Sequence, residues 1–298
     1  MLQFFIDALM RTADLALVAL GLSMLYGLVK FPNIAHVQYA MVGSFIAYWL
    51  YGTAGLPLSA ALVLGALLTG GITLVVQLLV FNHLLKSGPA IAMIGSLAVS
   101  MLLVAIILGV AGSFPHMFAL PSMEPVAVGD ARLSRVQLWM LLTTAVLLIV
   151  FVVILFYSQV GRAMRALASN PTLTNASGLN AVRITNAVTV LSGFLAGLGG
   201  GMLALNSGAH VNLGNDMLLP VFAAAILGGL GNPIGAVAGA FLIALAETII
   251  TNVNFGPFLG RGLLFIPVSY IGAGSFLILL LALLFKPYGL FDRGVRRV

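Results

Sequence analysis

The residues able to do covalent or metal chemistry are few and scattered. His36, His83, His116 and His210 lie on four separate segments, with no HExxH pair and no Ser/His/Asp constellation, so neither a metal centre nor a hydrolytic triad is supported. There is no cysteine, hence no thiolate nucleophile and no disulfide frame. A GxxxxGK(S/T) phosphate loop is also missing, so the chain is not expected to bind or hydrolyse ATP. No catalytic residue, metal site or cofactor of its own is expected.

What remains is a small set of polar groups inside apolar sequence. Glu247 is the only acidic residue well within an expected span. A charge there costs on the order of 3 kcal/mol on insertion scales, so it needs a partner, water or a proton. Counting back in fours reaches Ile243, Gly239 and Gly235, which turns Glu247 toward protein rather than lipid. Two readings are open: a structural glutamate holding a backbone group freed by the nearby glycine break, and a gate or path residue. Proton coupling fits less well, because one carboxylate stands alone. Phe31-Pro32-Asn33-Ile34-Ala35-His36 must unwind the first span, and unwound backbone is tolerated where it is buried or lines a cavity. Asn33 and His36 either cap helix ends there or contact a substrate. Asn206, Ser207, His210 and Asn212 fall at an expected external mouth.

The polar stretch from Gly161 to Asn180 separates two apolar runs. Arg162, Met164 and Arg165, among Ala163, Ala166 and Ala168, make a helix-competent piece with small residues that admit another surface. Asn170-Pro171 stops it and bends the chain, Thr172 to Ala176 can form a second piece, and Ser177-Gly178 ends that. Two helical pieces on a fixed bend would form a docking knob. The alternative is a solvated loop whose arginines only set orientation.

The elements that must position these groups are membrane spans. With 61% hydrophobic and only 7% charged residues, the 298-residue chain lacks the surface of a soluble domain, where about 25% charged is usual. The formal charge of +6 comes from thirteen Lys and Arg scattered singly, not from a nucleic-acid-binding face. Asp7, Arg11 and Asp14 flank a short apolar run, so a cleaved signal peptide is not expected. At about 20 apolar residues per helix, spans are expected near 13–31, 37–54, 57–82, 90–111, 136–158, 187–205 and 264–285. The stretch 217–253 is broken by Gly228-Gly229-Leu230-Gly231-Asn232-Pro233-Ile234-Gly235 and either crosses twice or re-enters. The expectation is therefore an all-α, polytopic helical bundle, a single membrane domain over 1–298 with about eight or nine segments. Gly193, Gly197 and Gly201, and again Gly231, Gly235 and Gly239, repeat at every fourth residue and are expected on two close-packing helix faces. Such faces either serve packing alone or let helices rock.

Orientation follows the basic residues of short loops. Placing the Gly161 loop inside also puts Lys30, Lys86, Arg183, Lys286, Arg293, Arg296 and Arg297 inside, leaving Arg11, Arg132, Arg135 and Arg261 outside. Most acids, namely Asp7, Asp14, Glu124, Asp130 and Asp216, then fall outside, with the N-terminus outside and the C-terminus inside. The loop 112–135, with Pro115, Pro121 and Pro125, is expected to be ordered turns.

Three motifs together resemble one family. They are Ala19 to Gly27 leading to Asn33-Ile34-Ala35-His36 and Met41 to Ser44, Gly161 to Ala166 followed by Asn170, Ala176, Gly178 and Asn180, and Ala225 to Ala236 running on to Glu247. Their order and spacing are similar to the LivH-type permeases of branched-chain amino acid ABC transporters. The resemblance implies a multi-pass protein of the bacterial inner membrane, paired with a LivM-like permease, two cytoplasmic ATPase subunits that bind the ATP, and an external solute-binding protein. It also implies that loop 159–186, through Gly161, Arg162, Ala163, Arg165, Ala166, Asn170, Pro171, Gly178 and Asn180, engages the ATPases while the bundle alternates access for branched-chain or related amino acids. His36-Val37 and Asn232 depart from the family's common His-Gly and Ser, which leaves the solute open. A self-sufficient secondary transporter or channel, and a purely structural membrane subunit, are the competing classes.

Overall fold

The computed structural model describes residues 2–120, 125–129, 131–254, 265–267, 270–286 and 289–291. Pro121, Glu124, Asp130, Arg261, Arg293, Arg296, Arg297 and the start of the expected 264–285 span lie outside the described residues.

The helices are α1 (Leu2–Val29), α2 (Ala35–Gly52), α3 (Leu58–Val76), the one-turn α4 (Asn82–Leu84), α5 (Pro89–Ala111), α6 (Arg135–Tyr157), α7 (Gln159–Ser169), α8 (Pro171–Ala176), α9 (Ala181–Ser207), α10 (Leu213–Gly228), α11 (Pro233–Asn252) and α12 (Ile271–Phe285). A π-helical turn, Gln77–Phe81, joins α3 to α4, and a 3-10 turn, Leu85–Ser87, follows. Six helical stretches among the described residues are long and apolar enough to cross a membrane: α1, Leu58–Ser87, α5, α6, α9 and α11. Helices α10 and α12 are shorter apolar elements. The protein is a polytopic helical membrane protein.

The first helix and one loop differ from the sequence expectation. Helix α1 begins at Leu2, not near residue 13, because the charges that read as flanking sequence are carried within the helix and Arg11 is paired across the bundle. The fold is also not wholly helical: Val126–Val128 (β1) and Ala131–Leu133 (β2) form an antiparallel hairpin inside the loop read as turns. A further bridge, His116 with Ala209, ties that loop to the α9–α10 connection.

Helix α9 packs against α1, α2 and α3, while α1 also packs along α11. The most apolar windows of α1 and α9 are 83% and 72% buried, against 28% for α5 and 22% for α6, so the former are core and the latter show an apolar face to the outside. The α9 glycines make this centre possible. Cβ atoms built on Gly193 and Gly197 would lie 2.2 Å and 2.7 Å from the Thr73 and Thr69 side chains of α3. One on Gly200 would lie 2.0 Å from the Ala40 carbonyl of α2. Gly201 faces Leu62 in the same row. In lipid, where water drives little helix association, such backbone contact supplies dispersion and close packing.

The second glycine row is only partly as expected. Gly235 and Gly239 lie on α11 against the Gly228 and Ala224 carbonyls of α10. Gly231 precedes the helix, which Asn232 caps, and sits in the turn at φ +89°, where its Cα meets Gly27 at the end of α1. It packs, but from a turn that requires a left-handed residue.

Candidate functional site

Three polar regions are distributed along the bundle. At one end, the Arg11 Nε donates to Glu247 Oε2 at 2.5 Å, and the Ser275 hydroxyl donates to Glu247 Oε1. Glu247 is 2% exposed and Arg11 28%, so the pair is sunk below the rim of a cleft of about 170 Å³ that Asp7, Thr248 and Thr251 also line. The neighbour facing Glu247 comes from α1 and a second from α12, which pins three helices at one carboxylate. Asp14, one turn further along α1, is buried, with Oδ1 unpartnered among the described residues. The lone-carboxylate expectation is thus corrected, since two acids and a guanidinium share this end of the core. Both Glu247 oxygens are engaged, which favours the structural reading of that residue.

Further in, the α1–α2 break is held rather than loose. Lys30 takes φ +56°, Phe31 packs on Phe81 of the π turn with ring centroids 5.6 Å apart, and the Ile34 amide donates to Ser96 Oγ of α5 at 3.0 Å. Neither Asn33 nor His36 caps α2, whose N-terminus has no side-chain cap. His36 is instead a cross-brace. Its Nε2 lies 3.1 Å from the Val18 carbonyl, an acceptor only, so that nitrogen carries the proton; Nδ1 lies 3.2 Å from Ser192 Oγ. The Ser192 hydroxyl, with one proton to give, lies between that acceptor nitrogen and the Gly21 carbonyl, 3.0 Å away. Gly21 lets the ring approach, since a Cβ there would meet the imidazole at 3.2 Å and the Ser192 carbonyl at 2.9 Å.

Around this brace, Asn33, Tyr39, Thr73, Gln77 and Thr189 complete a polar ring with no room for water between them. Asn33 Oδ1 is buried without a partner among the described residues, and so is Gln38 Oε1, although Gln38 Nε2 donates to Asn215 Oδ1 at 2.7 Å. The sequence reading missed Ser192, Gln77, Gln38 and Gly21. Ser192 directly precedes the glycine row, and Gln77 is a polar residue within an apolar run, which are the local signals that were present.

At the end opposite the Glu247 cleft, α7 lies against the bundle through Gly161, Met164 and Leu167, spaced for one helix face. Gly161 sits under the last carbonyls of α6, and a Cβ there would lie 2.1 Å from the Leu155 oxygen. Ser158 Oγ accepts from the Gly161 amide at 3.0 Å and starts the helix. Arg162 Nη1 donates to the Tyr157 carbonyl at 2.8 Å, and Arg165 donates to the Leu155 carbonyl with its guanidinium 5.2 Å from the Phe156 ring centroid. Both arginines therefore cap the C-terminus of α6, where cations are favoured.

Asn170 is extended, accepts from the Leu173 amide at 3.0 Å, and with Pro171 starts α8. Gly178 takes φ +82°, and Asn180 accepts from the Arg183 amide at 3.1 Å to start α9. The expected pair of short helices on a fixed bend is present, with Ala163 and Ala166 half-buried along α7. Leu173 at the tip of α8 is 63% exposed and Val182 60%.

Comparison with known proteins agrees with this architecture. A probable branched-chain amino acid transport permease protein LivH of Methanocaldococcus jannaschii is 30% identical over 286 residues, covering 93% of this chain and 88% of that protein. The high-affinity branched-chain amino acid transport system permease protein BraD of Pseudomonas aeruginosa is 28% identical, covering 98% and 96%. LivH of Escherichia coli (strain K12) is 24% identical over the same shares. Among solved structures, PsaBC from Streptococcus pneumoniae in complex with Fab matches with a TM-score of 0.50 at 15% identity, covering 96% of this chain and 92% of that one, a likeness of fold alone. Residues 4–285 match the family described as branched-chain amino acid transport system, permease component, and with the helical bundle described above this places the chain in that family.

Proposed function

We propose that this chain is the permease subunit of an ATP-driven importer of branched-chain amino acids in the inner (plasma) membrane, working with a second, LivM-like permease, two ATPase subunits and an external binding protein. The carrying observation is the α7–α8 knob. It is clamped to the bundle by Gly161, Met164 and Leu167 and by two arginine caps, yet it turns Leu173 outward. A large apolar side chain presented on a short, fixed helix at the end of a membrane bundle fits a pocket on a partner protein.

In this reading the arginines transmit rather than touch. Closure of the ATPases loads α8, and α7 passes the load to the end of α6 and, through its packing on α1 and α9, to the core. Helices α1, α2 and α9 meet at the His36–Ser192 brace, so a shift of α9 alters the polar ring around the α1–α2 break. The bundle rocks as packed units and opens a largely apolar path between the two permeases to alternate sides. ATP is bound by the partners.

The test is ATP-dependent leucine uptake into vesicles holding the assembled transporter with Leu173→Glu. Loss of an anchor of this kind is expected to weaken ATPase copurification and reduce uptake at least about tenfold. Full uptake by the variant, or uptake by this chain without ATPases, overturns the proposal.

A further inference from the structure

Helices α3 and α6 both pack inward, α3 on α9 and α6 on α1, and between their ends on the Glu247 side a groove of about 550 Å³ stays open. Leu58 and Leu62 of α3, Val136 and Met140 of α6, and Met202 and Leu205 of α9 line it, so its walls are almost wholly apolar. Met140 and Met202 form a buried thioether floor, a surface that adapts to flexible chains. At the rim stands Trp139, 67% exposed, with Tyr51 across from it, its hydroxyl tied to the Ala119 carbonyl at 2.9 Å. Tryptophan and tyrosine with apolar bodies and polar tips are the side chains that settle at the depth of lipid headgroups.

One turn above Trp139 on the same face of α6 is Arg135. It is exposed, and its guanidinium has no hydrogen-bond or ion-pair partner among the described residues. Its role is not to start α6, because Ser134 and Gln137 already form a complete capping box there. An exposed guanidinium without a partner among the described residues, one helical turn beyond the aromatic rim of an apolar groove of acyl-chain dimensions, matches one ligand chemistry in its own order of depth: phosphate, glycerol level, hydrocarbon.

We propose that this groove is a binding site for an anionic phospholipid, with an acyl chain lying along α9 between α3 and α6 and the phosphate on Arg135. The site does not depend on which side of the membrane this end faces, nor on the transport reading above. A lipid there completes the packing between two helices that protein side chains leave apart.

The sequence has two tryptophans, so Trp49→Phe leaves Trp139 as the only indole. Brominated acyl chains quench an indole they touch. The full chain is placed in phosphatidylcholine vesicles containing a minority of brominated phosphatidylglycerol, and separately a minority of brominated phosphatidylcholine. Brominated phosphatidylglycerol is expected to quench Trp139 as though enriched about fivefold beside it, the size of one arginine–phosphate pairing near a membrane surface. Arg135→Gln should abolish the preference while leaving ordinary acyl quenching, and Arg135→Lys should keep most of it. Should Trp49→Phe not fold, the wild-type signal minus that of Trp139→Phe reports the same quantity.

Equal quenching by both lipids, or a preference that survives Arg135→Gln, overturns the proposal. A second arm uses photoactivatable phosphatidylglycerol on the assembled transporter, with cross-links expected on the α6 segment 136–143. Their loss on assembly would mean that a partner chain fills the groove, which also overturns the proposal.

Discussion

Glu247 and Arg11 are 236 residues apart in sequence and in direct contact in the fold, and their consequences differ from those of a lone buried acid. With both oxygens of Glu247 engaged, removal of the carboxylate leaves a guanidinium in the mouth of the core without its partner. Because Arg11 keeps some exposure to the cleft, the loss from Glu247→Ala is expected to be about 3 kcal/mol, the lower end of the range for a broken buried pair. Replacing the pair by Arg11→Leu with Glu247→Leu should recover most of that, since apolar packing commonly substitutes for a buried ion pair. Thermal unfolding of the purified protein measures both. If the double variant also restores leucine uptake, the pair is a structural pin; if it is stable but inactive, Glu247 belongs to the path. The burial of Glu247 and its orientation along the Gly235–Gly239 face were legible from helical spacing. Its partner was not, because Arg11 and Asp14 lie in a stretch whose charges make any local window read as membrane flank, and only tertiary pairing reveals that α1 starts at Leu2.

At the scale of elements, the centre depends on backbones touching. Gly43 of α2 approaches Gly197 of α9 so closely that a Cβ on Gly43 would lie 2.3 Å from the Gly197 Cα, and Gly200 meets the Ala40 carbonyl in the same seam. A methyl group cannot be accommodated there by a side-chain rotation, because the opposing atoms are backbone. Gly200→Ala is therefore expected to push α2 from α9 and cost about 1–3 kcal/mol, the range for overpacking, despite alanine's better helix propensity. Gly71→Ala on α3, which meets nothing within 4 Å, serves as the control and should be neutral or slightly stabilising. Melting temperatures of the two variants make the comparison.

The α9 glycine row and the α7–α8 bend could be read in advance because their signals are local: repeat spacing in one, Asn170-Pro171 and Gly178 in the other. The π turn at Gln77–Phe81 and the β1–β2 hairpin could not. The first adds one residue within a run that is apolar but for Gln77, and the second has strands of three residues each. Gly231 was misplaced for a related reason, since spacing by fours does not reveal that Asn232 restarts the helix.

Taken as a whole, the described basic residues divide unevenly between the two ends of the bundle. The α7–α8 end carries Arg162, Arg165 and Arg183, and the loops read as lying on the same side add Lys30, Lys86 and Lys286. The opposite end has Arg11, which Glu247 neutralises, together with Arg132 and Arg135. Excess arginine and lysine in short loops marks the cytoplasmic side, so the knob is expected inside and the α9–α10 connection outside. The same orientation is what an ATPase partner requires, so the charge argument and the coupling proposal stand or fall on one observable. The sequence has no cysteine, so single reporter thiols need no background removal. Asn175→Cys on exposed α8 and Ser207→Cys at the exposed end of α9 are suitable positions. A membrane-impermeant maleimide added to intact cells should label Ser207→Cys at once and Asn175→Cys only after permeabilisation. The reverse pattern would place the knob outside, where no ATP is available, and would remove the coupling role of Leu173 along with the orientation.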